Sequence, residues 1–184
     1  SVTETFDRGD GSFNTTVMLI IENLGNVVLN QVQLMDDLNR IFPAPATYSV
    51  SRLISDRLTV NPAFDGRSVA NLLSGSDTLA VGASAQVSFR VVFQPNGSDG
   101  PFNNQAIASG QSAGGEQTSD LSDWGTDPDP NGDGDPSVPE EDNVTPIQFT
   151  VVPPVDIPTL STLFMLLLFS AITLLAYFRK NQSH

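Results

Sequence analysis

The run Asp129-Pro130-Asn131-Gly132-Asp133-Gly134, followed by five residues and then Glu140, has the spacing of a calcium loop, D-x-[DN]-x-[DN]-G-x5-E. A hard Ca²⁺ ion takes about six to eight oxygen ligands, and oxygens at alternate positions of a tight loop can converge on it. Gly134 stands where the backbone has to turn sharply. A second frame, starting at Asp127, fits the first six positions as well, so Asp127 and Asp135 join Asp129, Asn131, Asp133 and Glu140 as candidate ligands. The stretch 116–142 holds ten acidic residues and no basic one. Against the metal, no helical pattern flanks the loop, and prolines at 128, 130, 136 and 139 are foreign to an EF-hand. The competing expectation is a solvated acidic spacer, because such a composition cannot bury enough apolar surface to fold by itself. Any calcium affinity is expected to be weak, with Kd ~10⁻⁴–10⁻³ M.

Other chemistries are excluded by residue type. There is no cysteine, so disulfides, zinc–thiolate sites and thiol nucleophiles are absent. The only histidine is His184, the last residue, which leaves no Ser/His/Asp triad, HExxH site or imidazole base upstream. Lys180 is the only lysine, so Lys–Asn isopeptide cross-links cannot form in the rest of the chain. All 21 acidic residues but only six of the eight basic ones precede Ile157, leaving that part fifteen charges negative. Such a surface repels nucleic acid and anionic lipid headgroups. The chain is expected to be no enzyme and to have no nucleic-acid partner and no small-molecule substrate.

Four smaller features have ordinary explanations. Arg8-Gly9-Asp10 reads as a turn rather than a cell-attachment triplet. The pair Asp36-Asp37 follows a strand pattern and reads as a strand-end turn or helix cap. Trp124, the sole tryptophan, is expected to pack as a lid on the edge of the fold, with a sugar-stacking platform as the sharper alternative. Asn14, Asn96 and Asn143 begin N-x-[ST] triplets that chance can supply at this composition.

The elements that must carry the loop are strands. Residues 15–22 are β-branched and apolar and run into the turn signal Asn23-Leu24-Gly25-Asn26. Val32 and Leu34 alternate with glutamines, and Tyr48 and Val50 follow the break at Pro43 and Pro45. Leu79 and Val81 precede Gly82. Val87, Phe89, Val91 and Phe93 alternate with polar partners and define the clearest inward face. Further strands are expected over 104–110 and 147–152, and one helical turn over 68–73. The expected fold is all-β: an antiparallel immunoglobulin-like β-sandwich of about seven or eight strands, plus one C-terminal transmembrane helix.

That helix is read from residues 157–178, an uncharged apolar run spanning ~33 Å of helix, enough for a bilayer core of ~30 Å. Its place in the chain is not that of a secretory signal peptide. Arg179 and Lys180 follow it directly and put residues 179–184 on the cytoplasmic side, with the β-domain outside. The expected divisions are a β-domain over 1–152, a proline-rich neck over 153–156, the span and the basic tail. With Ser1 in place of an initiator methionine, the chain reads as cut or processed at its start.

Two resemblances add to this. Ile157, Pro158, Thr159 and Leu160, followed by an apolar span and Arg179-Lys180, closely resemble the IPTL-CTERM sorting signal of bacterial surface proteins. Thr162-Leu163-Phe164 stands where that family often has Glu-Trp-Gly. The segments 22–38, 58–66, 104–106 and 123–136 resemble the DUF-type conserved repeat domain of large bacterial surface proteins. Together they imply a Gram-negative envelope protein, exported and then anchored or sorted by machinery that recognises the IPTL motif. They also imply tandem β-sandwich modules with a structural or adhesive role and no enzymatic activity. The partners expected are the membrane, neighbouring surface modules or further copies of the chain, and the sorting machinery. A glycan- or protein-binding module and a fibre subunit assembled by strand addition are the alternatives.

Overall fold

Period-2 alternation decides the centre of the molecule. In the computed structural model, which describes residues 1–151, β2 (Phe13–Glu22) buries every second side chain, and β5 (Ser84–Gln94) does the same. The two strands pair antiparallel over the full length of β2, from Phe13 opposite Phe93 to Glu22 opposite Ser84. A slip of one residue would turn the apolar face of one strand away from that of the other, so the hydrophobic pattern holds this register. β1 (Phe6–Asp7) flanks β2 and β4 (Thr47–Ser55) flanks β5, giving one four-stranded sheet in the order β1-β2-β5-β4.

A second sheet has the order β3-β7-β8, formed by Asn30–Met35, Ile107–Gln111 and Gln117–Leu121. A short ladder pairs β6 (Phe102–Asn104) with β9 (Thr145–Ile147). Every ladder is antiparallel, and the only α-helix among the described residues is the single turn α1 (Leu38–Ile41). The fold is all-β, and Ser1–Thr150 is one compact unit. No helix among the described residues is long and apolar enough to cross a membrane. The expected neck, span and tail, with Ile157, Pro158, Thr159, Leu160, Arg179 and Lys180, lie outside the described residues.

One core joins the ladders. Val17, Leu19 and Ile21 of β2, Val87, Phe89 and Val91 of β5, and Val32 and Leu34 of β3 belong to it together with Ala106 and Ile147. At one end five phenylalanines meet: Phe13, Phe42, Phe93, Phe102 and Phe149, with neighbouring ring centroids 4.9–5.7 Å apart. Edge-to-face and offset contacts of this kind add to what burial of the rings contributes. Gly66 also has a packing reason: a Cβ there would sit 2.5 Å from a methyl of Leu38, and its φ of +67° suits glycine. The edge strand β4 carries serines and a bulge between Ser51 and Ile54, with Arg52 at a φ of 56°. A twisted, polar edge of this kind discourages unwanted strand pairing.

The expected strands around 15–22, Val32/Leu34, Tyr48/Val50 and 87–93 all form. Leu79 makes only an isolated bridge to Leu29. The segment 104–110 is not one strand, because the chain leaves β6 after Asn104 and re-enters as β7 at Ile107, in another sheet. The last strand begins earlier than expected, at Thr145, and residues 68–73 form no helical turn.

Phe93 lies at the junction of the aromatic end and the β2–β5 ladder. Phe93→Ala is expected to cost about 3–5 kcal/mol, whereas Phe6→Ala, on a side chain 57% exposed, should cost under about 0.5 kcal/mol. Urea unfolding of the two variants checks this, and equal losses would contradict a core centred on Phe93.

Candidate metal centre

The acidic loop joins β8, which pairs with β7, to β9, which pairs with β6. β8 runs antiparallel to β7, so residues 117–121 belong to a sheet rather than to the unstructured spacer expected over this stretch. The chain then departs at Ser122 and returns through a 3₁₀ turn at Pro139–Glu141 into β9. Its two ends are tied to the fold and to each other. Ser122 exchanges bonds with Ala106, donating its N–H to the carbonyl (2.9 Å) and accepting the Ala106 N–H at Oγ (3.0 Å). Asn143 N–H donates to Asp123 Oδ1 at 2.9 Å, and Gln105 Nε2 donates to the Asp142 carbonyl at 2.7 Å.

Within the loop, carboxylates and a carboxamide cap the backbone in succession. Asp127 Oδ1 accepts from Asp129 N–H (3.2 Å), and Asn131 Oδ1 from Asp133 N–H (2.8 Å). Asp133 Oδ1 accepts from Asp135 N–H (2.8 Å), and Asp135 Oδ1 from Ser137 N–H and Oγ. Asp129 is the hub, with Oδ1 taking Gly132 N–H and Oδ2 taking Gly134 N–H, both at 2.9 Å. Gly132 and Gly134 have φ of 75° and 81°, a conformation that costs glycine little. Asp127, Asp129, Asn131, Asp133 and Asp135 therefore share one ordered loop.

Glu140 does not join them. Its side chain is exposed, and only its backbone carbonyl is engaged, by Asn143 Nδ2 at 2.7 Å. The next residue, Glu141, turns inward and is 3% exposed. Its Oε1 accepts the Asn131 N–H at 3.3 Å, and its Oε2 is buried with no hydrogen-bond partner. The loop spacing points to Glu140, whereas the tight 3₁₀ turn brings Glu141 against the loop. The sequence signal for this is the triplet Glu140-Glu141-Asp142 after Pro139, which says that an acid faces the loop without saying which.

The electrostatics are uniform in sign. Burial raises the Glu141 pKa, the Asn131 N–H opposes this, and Asp129, Asp133 and Asp123 raise it further. Asp120, at the end of β8, is pushed up to about 6, first by burial and then by Asp142, with Glu141 and Asp135 adding to the effect. One oxygen of Asp142 is also buried without a partner. No Lys or Arg occurs between Arg90 and Arg179, so nothing nearby in sequence offsets these charges. Among the described residues, no three acidic or histidine side chains stand together as a formed metal-binding group.

Beside the loop lies a crevice of about 420 Å³ whose lining includes Leu19 and Ile21 of β2, Leu34 and Ala108 of the second sheet, and Asp120 and Asp127. Trp124 stands 65% exposed between Asp123 and Gly125 and is not the packed lid expected. Arg8-Gly9-Asp10 forms a turn closed by Arg8 N–H to the Ser12 carbonyl (3.0 Å). Asp37 caps α1, accepting from Asn39 N–H at 3.2 Å.

Its neighbour Asp36 is different. It is fully buried, and neither carboxylate oxygen has a hydrogen-bond partner. Desolvation pushes its pKa up to about 7, with the Asn104 carboxamide opposing the shift and Asp37 adding to it. Asn104 Oδ1 is likewise buried and unpartnered, so a protonated Asp36 has an acceptor to hand. Comparisons of the chain with protein-family models, curated proteins and solved structures each find no match.

Because the folded pKa of Asp36 lies above its unfolded value of about 4, the native state holds the extra proton between those limits. Its contribution to stability is present at low pH and lost as pH rises through about 7. Urea midpoints taken in chelator should therefore fall from pH 5 to pH 8. Asp36→Asn should remove much of that fall and gain on the order of 1–3 kcal/mol at pH 8. An Asn variant that keeps the full wild-type pH slope would assign the slope to other groups.

Proposed function

We propose that the chain is a non-enzymatic module of a bacterial cell surface, exported and then anchored or sorted through residues 157–178. The observation that carries this is the pairing of two sequence features. An acidic β-unit without histidine, cysteine or lysine precedes an apolar run headed by Ile157-Pro158-Thr159-Leu160 and closed by Arg179-Lys180. The all-β architecture supports an immunoglobulin-like sandwich, since two antiparallel sheets, β1-β2-β5-β4 and β3-β7-β8, contribute inward faces to one core. Its role is structural or adhesive, with neighbouring modules or further copies as partners and Ca²⁺ stiffening the loop before the neck.

Topology is the direct test. With the chain exported behind a secretory leader in Gram-negative cells, protease added outside permeabilised outer membranes should digest the β-unit. A tag after His184 should stay protected, and intact mass of any released protein should place a cut near Ile157. A β-unit protected with its tag in the cytoplasm would overturn the proposal.

A further inference from the structure

Glu141 presents an unusual electrostatic problem. A carboxylate 3% exposed keeps one oxygen, Oε2, buried and without a partner, while Oε1 reaches the Asn131 N–H of the acidic loop. The charges that face it are Asp129 and Asp133 from the loop and Asp123 from its base, all negative. Asp142, next in the chain, has a second buried orphan oxygen, and Asp120 at the end of β8 lies in the same field. A buried charge without compensation is costly, and it is offset either by a proton or by a cation bound from outside the chain. No Lys or Arg lies between residues 91 and 178, and the ion pair formed among the described residues is Arg57 with Asp56, outside this cluster.

We propose that Glu141, rather than Glu140, is the acid that closes the 127–135 loop around a divalent cation, so that the ion clasps the loop to its own return turn at 139–141. Asp129, Asn131 and Asp133 supply the loop side and Glu141 Oε2 the side of the 3₁₀ turn. All are oxygen donors, which suits a hard ion such as Ca²⁺. Glu141 immediately precedes the segment that enters β9, and Asn131 lies at the far end of the excursion, so one ion would close the loop on its own base. Among the described residues these acids do not stand together as a converged group. Drawing them together costs ordering free energy, which keeps the affinity in the range of ~10⁻⁴–10⁻³ M. The inference rests on the calcium part of the proposed function and names the residue that completes its site.

Trp124, the sole tryptophan, stands at the base of the loop between Asp123 and Gly125 and can sensitise a bound Tb³⁺ ion. Terbium luminescence of the full chain in detergent, displaced by Ca²⁺, should report wild-type binding. Glu141→Gln should weaken Ca²⁺ about tenfold or more, and Glu140→Gln should stay within about twofold. Should Glu141→Gln lose its far-UV dichroism in chelator, Glu141→Asp, which keeps the charge and retracts it by one methylene, serves instead with the same expected loss. If wild type binds and Glu140→Gln is the damaging change, or neither is, the assignment to Glu141 fails while calcium stays. If wild type shows no displacement up to about 10 mM Ca²⁺, the calcium reading and this inference fail together, the buried acid being held by a proton, and the topology test stands apart from both.

Discussion

The β2–β5 ladder is the constraint on which the rest of the structure depends. Its register runs without interruption from Phe13 opposite Phe93 to Glu22 opposite Ser84, and both strands bury alternate residues. With one sheet face fixed in this way, β3 can bring Val32 and Leu34 onto the same core. The aromatic end then closes around Phe93, where Phe13, Phe42, Phe102 and Phe149 meet it. Phe102 belongs to β6, so the short ladder that receives the end of the acidic loop is itself held by that cluster.

Charge is the second organising quantity. The β-unit disposes of a large negative excess by keeping most acids exposed and by letting loop carboxylates accept backbone N–H groups. Two acids escape that arrangement. Asp36 lies inside the core against an apolar surround and Asn104, and Glu141 lies under the loop against other carboxylates. Burial raises the pKa of the first, and a neutral carboxyl there can donate to Asn104. The second accepts the Asn131 N–H, and the charges beside it are all negative.

The legible parts of the sequence were those with strict alternation. Val87, Phe89, Val91 and Phe93 announced an inward strand face because a sheet has a period of two and one side is wet. The ordered positions from Asp127 to Asp135 were legible as a loop because Asp, Asn and Gly favour side-chain capping and left-handed turns. β8 was not legible: Gln117-Thr118-Ser119-Asp120-Leu121 is polar, and it becomes a strand because β7 offers it a ladder. Residues 104–110 read as one strand, yet the chain changes sheet between Asn104 and Ile107, a break no local pattern marks. Trp124 looked like a lid, but its side chain stands 65% exposed.

By itself, the sequence determined the β class, the inward faces of the long strands, the absence of thiol and imidazole chemistry from the β-unit, and the acidic loop with its spacing. These follow from residue type and short-range periodicity, which act within a few positions of the chain. The tertiary structure decided which sheet each short strand joined, that Asp36 is buried while Asp37 caps a helix, and that Glu141 rather than Glu140 faces the loop. Each of those outcomes depends on what a side chain meets from a distant part of the chain. Two adjacent acids are chemically alike until packing puts one in water and the other beneath a loop.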